Sequence, residues 1–117
     1  NCLQWADRTP PLGTTGPSPR YRHAMAYDSA RGVTVLFGGY DGSNNNKGDT
    51  WEWNGTTWAL RSTTGPSPRY GHAMAYDSAR GITVLFGAIN LRDTWEWTYG
   101  RWSAGSTSLR RWSWARS

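Results

Sequence analysis

The sequence predicts an all-β chain made of two copies of one four-stranded antiparallel unit, and three observations carry that expectation. The stretch GPSPRYRHAMAYDSARGVTVLFGG at residues 16–39 returns as GPSPRYGHAMAYDSARGITVLFGA at residues 65–88. Nine Trp, six Tyr, fourteen Gly and six Pro in 117 residues are the profile of short aromatic strands joined by tight turns. No segment sustains a helical period.

The repeat orders the elements. Residues 1–15 precede the first full copy, and Leu3-Gln4-Trp5 reads as the last strand of a preceding unit, followed by a linker. The first unit spans 16–64. Residues 23–27 (HAMAY) form its first strand, and DSARG follows as a turn ending in Gly, where a positive φ is cheap. Residues 33–37 (VTVLF) are β-branched and apolar on both faces, as a strand sandwiched between sheets must be. Thr50-Trp51-Glu52-Trp53 alternates, Asn54-Gly55 is a hairpin signal, and residues 58–61 (WALR) close the unit. The second unit, 65–106, repeats this at an offset of 49 as far as Gly87 and of 44 from Asp93 onward. The change falls in one loop, where YDGSNNNKG (40–48) is answered by INLR (89–92). Residues 107–117 leave the repeat for a basic Trp/Arg tail.

Four antiparallel strands per 44 to 49 residues match a propeller blade. The ordered set of Gly38-Gly39 doublet, Trp51 and Trp53, then Trp58, answered by Gly87, Trp95, Trp97 and Trp102, resembles the kelch repeat, in the bacterial variety carrying GPSPR and DTWEWNGTTW phrases. Two departures accompany the resemblance: the second doublet is Gly87-Ala88, and the Trp53 to Trp58 spacing is shorter than in the commonest kelch form. The fold expected is therefore an incomplete kelch-type β-propeller of two blades. A lone four-stranded sheet cannot cover both faces, so Val33, Val35 and Phe37, with their counterparts Ile82, Val84 and Phe86, are expected to wedge between blades. Replacing either Phe with Ala should then cost about 3–5 kcal/mol. Two blades do not close a ring, so further blades or self-association are expected.

Composition bounds the function. The net charge of +5 includes Arg110, Arg111 and Arg116 in the acid-free tail, which is no distributed nucleic-acid footprint. The tail itself reads as the out-of-register end of an array, its rival being a membrane-surface or nucleic-acid-binding segment. No apolar run reaches the length of a membrane span, and no targeting signal is visible. The chain opens on Asn1-Cys2 without an initiator Met, as a processed or excised piece would, and a single Cys supports neither an internal disulfide nor a structural zinc site.

Nothing reads as catalytic. Asp28/Asp77, Asp49/Asp93 and Glu52/Glu96 are duplicated, whereas a catalytic centre needs different groups converging once. Asp28 and Asp77 read as turn caps, and Asp49 and Asp93 as turn holders or partners of an Arg in the adjoining blade. His23 and His72, one per unit, read as structural, so no metal and no cofactor is expected. Galactose oxidase and sugar-acid mutarotases also stand on kelch-like propellers, but no Tyr-Cys cross-link with His and Tyr ligands can be assembled here. The propeller resemblance implies that GPSPR and the loop before DTWEW lie on the top face. Binding residues expected there are Arg20, Tyr21, Arg22, Tyr40, Asp41, Asn44, Asn45, Arg69 and Tyr70, with interblade ion pairing as the structural alternative for Arg20 and Arg69. The reading is a binding scaffold for a protein or glycan. Its alternative is a piece of a sugar-active or oxidase-like propeller enzyme with its catalytic residues in other blades. An extracytoplasmic, bacterial setting is implied by the resemblance alone.

Overall fold

A computed structural model describes residues 4–11 and 13–104, which hold eight strands and no helix. The first sheet takes β1 (Ala24–Asp28), β2 (Val33–Phe37), β3 (Thr50–Trp53) and β4 (Trp58–Ser62) in that spatial order. The second takes β5 (Ala73–Asp77), β6 (Ile82–Ala88), β7 (Leu91–Thr98) and β8 (Arg101–Ala104) likewise. Every neighbouring pair is antiparallel. Among the described residues no helix is long and apolar enough to cross a membrane.

Local chemistry sets the connections. The Asp28 carboxylate accepts the N–H groups of Ala30 and Arg31, and Gly32, at φ 71, returns its N–H to the Asp28 carbonyl. Asp77, Ala79, Arg80 and Gly81 repeat the turn. The five-residue deletion lets β6 run on to Ala88, which pairs with Leu91 across a tight turn where Asn90 adopts φ 65. In the first unit the chain instead leaves the sheet at Gly38 and Gly39, at φ 73 and 114.

Strand alternation gives each sheet two faces. In the first, Val33, Val35 and Phe37 share one face with Thr50 and Glu52; Met25, Thr34, Leu36, Trp53 and Trp58 lie on the other. The first of these faces packs on the Met74, Thr83, Leu85, Trp97 and Trp102 face of the second sheet, and the backbones come together chiefly along β1 and β5. The core is thus inter-sheet: Val35, Phe37, Leu85 and Trp97 are buried, and Phe37 lies edge-on to His72 and Trp102 at 5.5 and 5.4 Å.

The expected wedge is realised on one side only. Phe37 is fully buried, but Phe86 is 52% exposed and Ile82 and Val84 only half-buried, because among the described residues no sheet lies against their face. The large cost expected for Phe86→Ala is therefore corrected to that of a surface position. Gln4 and Trp5 form no strand, and Trp5 is fully exposed. Leu3, Cys2, residues 105 and 106 of the second unit and the whole 107–117 tail lie outside the described residues.

Candidate binding surface

The GPSPR stretches converge on one end of the sheets, and each builds the same clamp. Arg20 directs all five of its N–H donors inward: Nε to the Ser18 carbonyl at 3.0 Å, one terminal nitrogen to the Gly38 carbonyl and Asp49, the other to Asp49 and the Ser18 hydroxyl. Arg69 does the same with Ser67, Gly87 and Asp93, the shortest ion-pair contact being 2.7 Å in both clamps. Trp51 and Trp95 donate their indole N–H groups to the same carboxylates at 2.8 Å. The Arg20 and Arg69 side chains are 4% and 2% exposed. The hydrogen bond from Arg69 holds the Asp93 carboxyl down to about 2 against the desolvation that opposes it.

Both ion pairs lie within a unit, which corrects the interblade pairing expected for these arginines, and all their donors are engaged by the framework. Asp49, Asp93, Ser18 and Ser67, which the sequence reading left out of the site, complete the clamps. The signal was in the sequence as the recurrence of Ser, Arg and Gly at an offset of 49 and of Asp, beyond the shortened loop, at 44.

Between the units, residues 68–71 strap the second sheet to the first. The Arg69 carbonyl accepts from Gly39 N–H at 2.9 Å, Arg69 N–H donates to the Lys47 carbonyl, and Gly71 N–H donates to the Arg22 carbonyl. Gly38 must lack a side chain here, since a Cβ would stand 2.7 Å from the His72 ring and 2.8 Å from the Arg69 carbonyl oxygen.

The strap gathers the remaining expected residues. Tyr21 lies edge-on to Tyr40 with ring centroids 5.5 Å apart, Tyr40 lies 5.1 Å from Tyr70, and the Arg22 guanidinium sits 6.0 Å from the Tyr70 ring centroid. Tyr21 and Tyr40 exchange backbone hydrogen bonds, which fixes the two rings side by side. The 40–46 loop closes on itself: Asn44 N–H donates to the Tyr40 hydroxyl, while Asp41 accepts from Ser43 N–H and Asn45 Nδ2. Those bonds, the Ser43 one first, lower the Asp41 carboxyl below its ordinary value. Arg22 adopts φ 60, a left-handed conformation that costs a non-Gly residue about 1–2 kcal/mol. Its twin in the second unit is Gly71, at φ 75.

At the opposite end, Asp28, Arg31 and Glu52 form a second network. Arg31 bridges Asp28 and Glu52, Arg61 adds a bond to Glu52 at 3.0 Å, and Trp97 donates its indole N–H across the junction to Glu52 at 2.9 Å. Burial pushes the Glu52 carboxyl up, but the bonds from Arg31, Trp97 and Arg61 outweigh it and hold the group ionised. The Glu52 carboxylate at its centre is 2% exposed, and the half-exposed Arg31 and Arg61 reach it from the rim. Among the described residues no group of three or more His, Cys, Asp or Glu side chains could hold a metal ion.

The strap thus presents a tyrosine cluster with the Arg22 guanidinium on one side and the exposed Asn44 and Asn45 beside it. No protein-family model matches the chain, and no curated protein does.

Proposed function

We propose that the chain is a pair of kelch-type propeller blades serving as a binding scaffold, with Tyr21, Arg22, Tyr40 and Tyr70, rimmed by Asn44 and Asn45, contacting a glycan or a protein loop. The single observation that carries this reading is Arg22. Its twin position holds Gly71 in the same left-handed backbone, so the first unit accepts strain to set a guanidinium beside the Tyr70 ring. The five residues by which the first copy is longer fall within 40–48, the loop that holds Tyr40, Asn44 and Asn45. Tyrosine rings supply contact area at low entropic cost, and stacking on sugar rings or peptide planes suits their orientation.

Binding to an array of immobilised glycans and peptides tests the reading. Arg22→Gly should weaken capture about tenfold or more while leaving stability unchanged or higher by up to about 1 kcal/mol, since relieved strain offsets the added chain entropy of Gly. Tyr40→Ala should weaken it further. Capture by both variants equal to that of the parent chain would contradict the proposal.

A further inference from the structure

The junction between the two sheets is a template for a second junction that the described residues leave unmade. Three side chains of the second unit bond across it: Trp97 to Glu52, Trp102 to the Thr50 hydroxyl at 2.7 Å, and His72, just before β5, to the Phe37 carbonyl at 2.8 Å. Each donor has an identical twin on the outward face of the first sheet, namely Trp53, Trp58 and His23. Each acceptor has an identical twin on the outward face of the second, namely Glu96, Thr94 and Phe86. The apolar contacts repeat the pattern, since Phe37 packs on His72 and Trp102 and its twin Phe86 is bare.

We infer that the chain docks head to tail on a second copy of itself, the outward face of the first sheet receiving the outward face of the second. The two faces match each other by the same pairs that already hold the sheets together, which commits the occupant to another copy and not to an unrelated apolar partner. The receiving face is preformed: the Trp53 and Trp58 rings lie tilted with centroids 5.3 Å apart, as Trp97 and Trp102 do at 5.2 Å in the made junction. The segment at Arg8, Thr9 and Pro10 rests over this face without forming a strand, leaving an open groove of about 400 Å³ beside Met25 and Trp58. Docking displaces that segment. Because the two faces differ, the contact is heterologous, and successive copies either close a ring or extend an open array.

Light scattering coupled to size exclusion tests this. The chain should run at a multiple of 13.1 kDa that dissociates on dilution. Trp58→Arg blocks one face and Phe86→Arg the other, so each variant alone should be a monomer with β-sheet circular dichroism. Mixed, they should form a one-to-one dimer, since one complementary pair of faces survives. A monomeric parent chain, a variant that keeps the parent mass, or a mixture that stays monomeric would each overturn the inference. So would a monomer whose open faces take up only an added hydrophobic dye. Should either variant unfold, Met25→Arg and Val84→Arg probe the same two faces, Met25 being half-exposed and Val84 part-exposed in the chain.

Discussion

The two sheets carry nearly the same residues and live in different surroundings. Phe37 is fully buried while Phe86 is half-exposed, Trp97 is buried while Trp53 is only partly covered, and His72 is buried while His23 is exposed. Each contrast has one cause: one face of each sheet packs against the other sheet, and among the described residues no sheet covers the remaining face of either. A repeat residue therefore has no energy of its own. Its worth is set by whether a neighbour is present, which is the nearest-neighbour logic of stacked repeats.

The largest expected effect separates the two phenylalanines. In the monomer, Phe37→Ala should cost about 3–5 kcal/mol by denaturant unfolding, since it empties a packed junction, whereas Phe86→Ala should cost under about 1 kcal/mol. Equal losses would break the comparison. The tryptophans sharpen it at smaller scale. Trp97→Phe removes the hydrogen bond to buried Glu52 and should cost about 2 kcal/mol, while Trp53→Phe should change stability by under about 0.5 kcal/mol.

The smallest effect is a pH dependence. Burial lowers the His72 imidazole from its ordinary 6.5; the bond to the Phe37 carbonyl opposes this, and the charges of Arg69 and His23 add to it. The Nδ1 atom is buried without a partner among the described residues, so a second proton there would have nothing to bond. Folded His72 is thus neutral where the unfolded chain already takes up a proton. Its contribution is fully present above about pH 6.5 and is lost as pH falls from there toward the depressed folded value. The carboxylates held low by their arginines begin to lose theirs only below their ordinary 3.8 to 4.5, so the window between pH 6.5 and 5 reports on His72. Unfolding titrations should show a slope there that His72→Gln flattens; an unchanged slope would remove His72 from the account.

Much of the fold was legible in the sequence because strand alternation and turn chemistry are local. In the first unit the second and third strands fall where the VTVLF and TWEW stretches put them, the first moves by one residue and the fourth gains Ser62; in the second unit β6 runs on to Ala88 and β7 spans Leu91–Thr98, beyond what the repeat put there. The clamps were legible only in part. Ser18, Arg20 and Gly38 recur at an offset of 49 and Asp49 at 44, but recurrence does not say whether an Arg meets the Asp of its own unit or of the next. The asymmetry of Phe37 and Phe86 was not legible at all, since identical residues carry no mark of which copy has a neighbour. The strain at Arg22 could be seen against Gly71 once both copies were known to share one backbone.

The indole N–H groups give the most direct test of the central claim. In the Phe86→Arg chain, hydrogen exchange followed by NMR should find Trp97 and Trp102 slow, because their protons are held by Glu52 and Thr50 inside the junction. Trp53 and Trp58, which find no acceptor among the described residues, should exchange at solvent rates. Equal exchange at twin positions would mean that the sheets do not dock as described, and the account would fall.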